Sequence, residues 1–257
     1  MNVRTVAFAK RNLIEMSRDA LSYIFCVAFP IVMLLIMSVV NSSIPKESGM
    51  TLFRIDNLAG GIIVFGQSFV MLFSALNVTK DRSGSFLVRL FASPMKSGDF
   101  IGGYILPLII VAVVQAAVAM AASFVVSLVT GFELNVLGLL ASVVAVIPSA
   151  IMFIAIGMIF GTLFNEKAAP GLCSIIISLG AMVGGVWFDA EGVGGFMSKL
   201  SKCLPFLYAT KLARGTIKLD FSFESFLLPL MVVTGSAAVL TALACLLFQR
   251  KMRADLS

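Results

Sequence analysis

"NLAGGIIVFGQSFVMLFSALNVT", residues 57–79, contains no Asp, Glu, Lys or Arg over 23 consecutive positions. A helix of about 20 residues, rising about 1.5 Å per residue, crosses the roughly 30 Å hydrocarbon core of a bilayer. Five more charge-free runs of sufficient length lie along the chain, at residues 20–45, 100–132, 134–165, 168–188 and 225–249. The pattern predicts an all-α integral membrane protein with six transmembrane helices.

The composition of the whole chain supports this class. Of the 257 residues, 60% are hydrophobic and 12% charged, whereas soluble domains are about half apolar and about a quarter charged. The first apolar run is much longer than the roughly 7 to 15 residues of a signal peptide, so we expect no cleavage. We therefore expect a single transmembrane domain over residues 1–257, with spans near 20–42, 57–79, 100–130, 136–164, 168–188 and 225–249.

Residues suited to catalysis or metal binding are scarce. The chain has no His, which is the commonest general base and a frequent metal ligand. Its four cysteines show no CxxC spacing, so neither a metal site nor a disulfide framework is indicated. No GxxxxGK[ST] motif is present, and this is the loop that cradles nucleotide phosphates. We expect a chain that is not itself an enzyme, binds no cofactor and has no nucleic-acid partner.

The distribution of Lys and Arg predicts the orientation. With an even number of spans both termini lie on one side, and twelve of the 19 Lys and Arg residues fall on that side. Because cytoplasmic loops carry the excess of positive charge, both termini are predicted to be cytoplasmic. The fifth loop departs from this rule with five basic residues: Lys199, Lys202, Lys211, Arg214 and Lys218.

Residues 1–19 have the periodicity of an amphipathic helix. Its apolar side contains Val6, Ala9, Leu13 and Met16, and its charged residues include Arg4, Lys10, Arg11, Glu15 and Arg18. Such a helix binds along a lipid surface. A solvated extension of the first span is the alternative.

"KDRSGSFLVRLFASPMKSGD", residues 80–99, separates the second and third spans and contains six charges. Burying them in lipid would cost on the order of 15 to 20 kcal/mol, at about 2.5 to 3.5 kcal/mol for each charge. Within this loop, the spacing predicts a short amphipathic helix that ends at Ser93, because the residue before Pro94 avoids the helical region. Its apolar face consists of Phe86, Leu87, Leu90 and Phe91. Either the membrane surface or a cytoplasmic partner must cover that face.

The segment from residue 184 to 215 is too charged to span and too apolar to be free in water. It opens with a Gly-rich turn, contains the chain's one tryptophan, Trp187, and continues with apolar residues among lysines. We expect amphipathic helices at the outer surface that form a re-entrant element. An ordinary loop with an aromatic belt is the alternative.

Two stretches resemble the ATP-binding-cassette type-2 permease family. The loop "KDRSGSFLVRLFASPMKSGDFIGGYILP" is similar to that family's loop between its second and third helices through Asp81, Arg82, Gly84, Phe86, Arg89, Leu90 and Pro94. A second pattern, a Gly-Gly-aromatic turn followed by Leu-Pro and Arg-Gly, is matched by Gly184, Gly185, Trp187, Leu204, Pro205, Arg214 and Gly215. Lys80 and Asp81 stand where many members carry glutamate.

This resemblance implies a coupling helix at residues 83–93 that docks on a separate cytoplasmic ATPase. The residues implied in coupling are Asp81, Arg82, Gly84, Phe86, Leu87, Arg89, Leu90, Phe91 and Pro94. It also implies an interfacial helix with Arg4, Lys10, Arg11 and Arg18, and an outer gate with Gly184, Gly185, Trp187, Leu204, Pro205 and Arg214. The implied exporter contains two permease chains and two ATPases that bind ATP and Mg, in a prokaryotic inner membrane.

Two other classes remain as alternatives. A gradient-driven transporter or channel would need an ionisable residue inside the membrane, and the six apolar runs contain none. For an intramembrane enzyme or assembly scaffold, the sequence shows neither a nucleophile-base pair nor a metal cluster. A chain with 22 Phe and 14 Met and uncharged spans suits an amphiphilic or lipid-linked cargo, such as a drug, a peptide antibiotic or a glycan.

Overall fold

The computed structural model describes residues 3–19, 24–45, 49–84 and 97–256, and within these ranges the chain forms α-helices and no strand. In chain order the helices are α1 (Val3–Ser17), α2 (Phe29–Ser43), α3 (Ile55–Ser83), α4 (Ser97–Thr130), α5 (Val136–Ala145), α6 (Ile147–Leu163), α7 (Ala169–Val183), α8 (Gly195–Cys203), α9 (Pro205–Ile217) and α10 (Leu228–Leu256). π-Helical turns at Ile24–Ala28 and Phe223–Leu227 lead into α2 and α10. The expected all-α class is confirmed.

Five of these helical stretches are long and apolar enough to cross a membrane. They are Ile24–Ser43, Ile55–Ser83, Gly98–Thr130, Val136–Leu163 and Phe223–Lys251. The sixth expected span, at 168–188, is the apolar helix α7, which has 15 residues and ends at Val183. At about 1.5 Å per residue, α7 is only about 22 Å long. The number of six spans therefore stays a prediction.

Helix α3 occupies the centre of the bundle. It packs against α2, α4, α6, α7 and α9, and almost every residue from Ile55 to Ala75 is buried. The outer faces of the peripheral helices expose large apolar side chains such as Val39, Val129 and Val239. A soluble protein rarely presents so much apolar surface, and a lipid environment accounts for it.

Helices α3 and α6 run parallel in a constant register. Gln67 Nε2 donates to Val146 O at 3.1 Å, Ser74 Oγ to Ile154 O at 2.8 Å, and Arg82 Nη1 to Gly161 O at 2.9 Å. The partners in these three bonds are 79, 80 and 79 residues apart. These bonds begin near the middle of α3 and at Val146, just before the start of α6, and they end in the last turn of both helices.

Glycines on α6 permit this close approach. A Cβ atom on Gly157 would overlap Met71 O, and one on Gly161 would lie 2.7 Å from both Ala75 O and Val78 Cβ. Small residues one turn apart commonly allow such backbone proximity in membrane helices. The Gly157-x-x-x-Gly161 pattern is therefore used for packing within this chain.

The fourth predicted span is divided in two. Val146 separates α5 from α6, with Pro148 in the first turn of α6. Proline cannot donate a backbone hydrogen bond, so the regular helical pattern is broken here. Val146 O accepts from Ala150 N at 3.0 Å and also from the side chains of Gln67 and Ser149, at 3.1 and 2.7 Å. The sequence predicted one continuous span at 136–164, whereas the helix is interrupted at Val146.

A short turn at residues 131–135 connects α4 and α5. Gly131 has a positive φ of 69°, a conformation that suits glycine. Asn135 then caps α5, because its Oδ1 accepts from Leu137 N at 2.9 Å. The third and fourth predicted spans are thus joined by a short connection, as the sequence indicated.

Candidate functional site

Two clusters of polar side chains lie at opposite ends of α3. We call the first the termini-end cluster, because α1 and Lys251 of α10 both lie near this end. It comprises Arg11, Glu15, Lys80, Asp81 and Tyr104. The second, the gate-end cluster, lies where α3 begins and meets α9, and comprises Arg54, Asp56, Asn57, Arg214 and Lys218.

Asp81 is the centre of the termini-end cluster. It is buried in the last turn of α3. Tyr104 OH donates to its Oδ2 at 2.8 Å, and Arg11 Nη1 lies 3.2 Å from both carboxylate oxygens. Asp81 therefore connects α1, α3 and α4, and charge-assisted bonds of this kind are stronger than neutral ones.

Glu15 and Lys80 extend this cluster toward the surface. Lys80 Nζ donates to Glu15 Oε1 at 2.7 Å, and Arg11 Nη2 lies 2.7 Å from Glu15 Oε2. The hydrogen bond from Lys80, and then the charge of Arg11, keep the pKa of Glu15 below its usual value, although partial burial opposes them. Both pairs are partly exposed, so each contributes little stability alone.

A second set of contacts holds α1 on α4. Thr5 Oγ1 donates to Asp99 Oδ1 at 2.7 Å, and Asn12 Nδ2 donates to Gly103 O at 3.0 Å. Between these bonds, the Phe8 ring packs edge-on to Tyr104 at 5.1 Å and fills the space above Gly103. The buried face of α1 thus consists of Thr5, Phe8, Asn12 and Met16. Of the predicted apolar side only Met16 is fully buried, and Val6 is exposed.

The predicted coupling residues fall into two groups. Arg82 Nη1 donates to Gly161 O at 2.9 Å and to Phe164 O at 3.2 Å, at the end of α6, and Gly84 follows the last turn of α3. Together with Asp81, these residues fix the end of the second span. The remaining six lie outside the described residues: Phe86, Leu87, Arg89, Leu90, Phe91 and Pro94.

The predicted basic residues of the interfacial helix fall into two groups, one exposed and one in contact with acidic side chains. Arg4, Lys10 and Arg18 are exposed, which fits both a helix at a lipid surface and a solvated extension of the first span. Arg11 instead contacts Asp81 and Glu15. Periodicity placed Arg11 on the charged side but could not identify its partners.

The predicted gate residues form one continuous unit after α7. Gly184 ends that helix, and Gly185 adopts a positive φ of 70°. The Trp187 indole packs edge-on to Phe65 of α3 at 4.9 Å. Leu204 precedes α9, and Pro205 occupies its first turn, where a missing N–H is tolerated.

Arg214 joins this unit to the start of α3. Its Nε donates to Asn57 O and its Nη2 to Gly185 O, both at 2.9 Å. Gly60 permits the approach, because a Cβ there would lie 2.8 Å from Arg214 Cγ. The structure brings Gly184, Gly185, Trp187 and Arg214 together at this end of α3, and their role as a gate stays a prediction.

Asp56, Asn57 and Lys218 complete the gate-end cluster, and no sequence motif indicated their part in it. Arg54 donates from Nε and Nη2 to Asp56 at 2.7 Å each, and Lys218 Nζ donates to Asn57 Oδ1 at 2.6 Å. The hydrogen bonds to Asp56 raise the pKa of Arg54 above its usual value. One signal for this cluster was present in the sequence, since Asp56 directly precedes the charge-free run at 57–79.

The comparison with protein families agrees with this arrangement. The model of the ABC-2 type transporter family matches residues 4–218. This chain belongs to the ABC-2 type transporter family. The match includes α1, both polar clusters and the gate helices. A comparison with curated proteins gave no match.

As an ABC-2 type transporter, the chain is a multi-pass membrane protein and an ABC permease. Members of this family are membrane subunits that typically work with a cytoplasmic ATPase. Among the described residues, no group of three or more Cys, Asp or Glu side chains is arranged to hold a metal ion.

Proposed function

We propose that this ABC-2 permease is the membrane subunit of an exporter that moves an amphiphilic or lipid-linked molecule across the inner membrane. Two copies of a separate ATPase bind ATP and Mg and supply the energy, and a second permease chain completes the pathway. The termini end of the bundle faces the cytoplasm, and the gate end faces outward.

The observation that carries this proposal is the anchoring of both flanks of residues 85–96. On one flank, Asp81 and Arg82 contact α1, α4 and α6. On the other, Asp99 in the first turn of α4 accepts a hydrogen bond from Thr5 of α1. A partner that moves the segment between these flanks would move several helices together, as in the rigid-body transitions of other switching proteins.

The positions of the buried carboxylates favour this function over gradient-driven transport. Asp56 and Asp99 lie in the first turns of α3 and α4, and Asp81 lies in the last turn of α3. Ion-coupled carriers place ionisable groups near the middle of the membrane. These three carboxylates instead connect helix ends.

The first experiment identifies the ATPase. The permease is purified in mild detergent from its native host, and the proteins that co-purify are identified by mass spectrometry. We expect a P-loop ATPase in near-equal amount, with ATPase activity in the eluate. A preparation without one, from membranes in which other such complexes survive, would contradict the proposal.

The second experiment tests the docking segment in that complex. Arg89→Glu and Leu90→Asp should each release the ATPase while leaving membrane insertion intact. Lys202→Glu is the matched control, because Lys202 is an exposed basic residue of the short helix α8. If both docking variants retain the ATPase as fully as the control, residues 83–93 are not the docking helix.

A further inference from the structure

We infer that the gate end contains a binding pocket for the anionic group of an amphiphile, a phosphate or carboxylate carried on an apolar body. A cavity of about 630 Å³ opens between the loop that precedes α3 and the turn that follows α7. This volume lies within the usual range for pockets that hold small organic ligands. Its lining includes Phe53, Trp187, Phe188, Asp189 and Arg214.

Arg214 supplies the charge that recognises the anion. Its Nε and Nη2 donate hydrogen bonds to Asn57 O and Gly185 O, and these two bonds fix the plane of the guanidinium. Within the described ranges, its Nη1 donates to no acceptor and the side chain forms no ion pair. A guanidinium remains protonated in proteins and binds carboxylate or phosphate in a fixed geometry.

The charges around the pocket also favour an anion. In the gate-end cluster, three cations face one carboxylate, Asp56, which Arg54 and Lys218 already engage. Asp189 lines the pocket as well, and its Oδ1 accepts from Gly192 N at 2.9 Å. The pocket lining itself contains one cation, Arg214, and one carboxylate, Asp189. The excess of positive charge comes from the adjoining gate-end cluster, where three cations face Asp56.

Aromatic side chains supply the apolar part of the pocket. Phe53, Trp187 and Phe188 are each only partly buried and line the same cavity as Arg214. Trp187 is held in place by Phe65, so its ring is a fixed wall. One cation beside several aromatic walls matches a ligand with a single charged group and an apolar body.

This assignment rests on the proposed function only for the direction in which the ligand travels, because binding itself needs no ATPase. A ligand with an anionic group and an apolar body is either a lipid of the surrounding bilayer or the exported cargo. The binding test therefore uses the permease alone. A permease that binds the probe but recruits no ATPase contradicts only the proposed exporter, and the reverse result contradicts only the pocket.

Trp187 provides the readout, since it is the one tryptophan of the chain and lines the pocket. The permease in dodecyl maltoside is titrated with dodecyl phosphate, dodecanol or inorganic phosphate while indole emission is recorded. We expect a saturable change with dodecyl phosphate and a much weaker one with the other two. Equal responses to dodecyl phosphate and dodecanol, or equal affinity for inorganic phosphate, would overturn the inference.

Two variants with a control test the electrostatics. Arg214→Gln should weaken binding of dodecyl phosphate by about tenfold or more, because a charge-assisted contact is lost. Asp189→Asn should strengthen it by about threefold, because a like charge is removed. Lys211 lies on α9 with Arg214 and forms a 2.7 Å ion pair with Glu191. As the control, Lys211→Gln should leave the affinity for dodecyl phosphate unchanged.

The Asp189 variant keeps the test valid if Arg214→Gln does not fold, because Asn can still accept from Gly192 N. An unchanged affinity in Asp189→Asn, or in a folded Arg214→Gln, would overturn the assignment.

The source of the ligand is separated in nanodiscs. Phosphatidylglycerol with brominated tails should quench Trp187 more than brominated phosphatidylcholine if a bilayer lipid occupies the pocket. Equal quenching by the two lipids, with dodecyl phosphate binding retained, would assign the pocket to cargo.

Discussion

Removing one hydroxyl group, by Tyr104→Phe, should destabilise the bundle by about 2 kcal/mol. Tyr104 is 1% exposed, and its OH donates to buried Asp81 at 2.8 Å. The ring keeps its edge contacts with Phe8 at 5.1 Å and Phe248 at 6.1 Å, so packing is preserved. Hydrogen bonds to charged groups contribute about 1.5 to 3 kcal/mol, which exceeds the average of about 0.6 kcal/mol measured between membrane helices.

Tyr208→Phe is the matched control for this prediction. Tyr208 OH donates to Lys202 O at 3.1 Å, in an exposed and neutral hydrogen bond. Its loss should change the free energy of unfolding by less than about 0.5 kcal/mol. The two substitutions remove the same chemical group and differ only in burial and in the charge of the acceptor.

The free energy of unfolding is measured by titrating SDS into dodecyl maltoside micelles and following helix content by circular dichroism. In a thermal melt the same loss should lower Tm by about 4 to 8 °C. Asp81→Asn combined with Tyr104→Phe should destabilise less than the sum of the two single changes, because both act on one bond. Equal effects of Tyr104→Phe and Tyr208→Phe, or full additivity with Asp81→Asn, would refute the central position of Asp81.

Two further predictions concern packing and pH. Gly157→Leu should destabilise the protein by more than about 3 kcal/mol, since the added side chain meets backbone of α3; Gly171→Leu, with nothing near its Cβ, should be nearly neutral in the same SDS titration. Because the pKa of Glu15 is lowered in the folded state, its stabilisation is present above the usual carboxyl pKa and is lost as pH falls through the folded value. At pH 7 the free energies of unfolding of the wild type and Glu15→Gln should differ by under about 1 kcal/mol. This difference should disappear on acidification below about pH 4. A difference that grows on acidification would contradict the prediction.

Charge-free length predicted where the long apolar helices lie, because the thickness of the hydrocarbon core sets the minimum length of a spanning helix. The runs at 57–79 and 100–130 correspond closely to α3 and α4. The run at 168–188 was less well predicted, since Gly184 and Gly185 end the helix early. A hydropathy scale scores Gly184 and Gly185 as compatible with a span, but it contains no information on the backbone conformations that allow glycine to end a helix.

The pairing of side chains could not be predicted from the sequence. Tyr104 meets Asp81 only because α4 packs beside α3, and Arg214 reaches Asn57 across 157 residues of chain. Motif order identified Asp81 and Arg214 as residues of interest. It gave no indication of Glu15, Tyr104 or Asp56, whose roles depend on contacts between helices.

The constant register between α3 and α6 sets an order of events during synthesis. The partners of Gln67, Ser74 and Arg82 all lie about 80 residues further along the chain. At about 5 to 20 residues per second, a ribosome needs roughly 4 to 16 seconds to deliver them. During that interval α3 lies in the membrane, or beside the insertion machinery, before Val146, the native hydrogen-bond partner of Gln67, has been synthesised. The most buried helix of the permease is therefore one of the earliest made and one of the last to be enclosed.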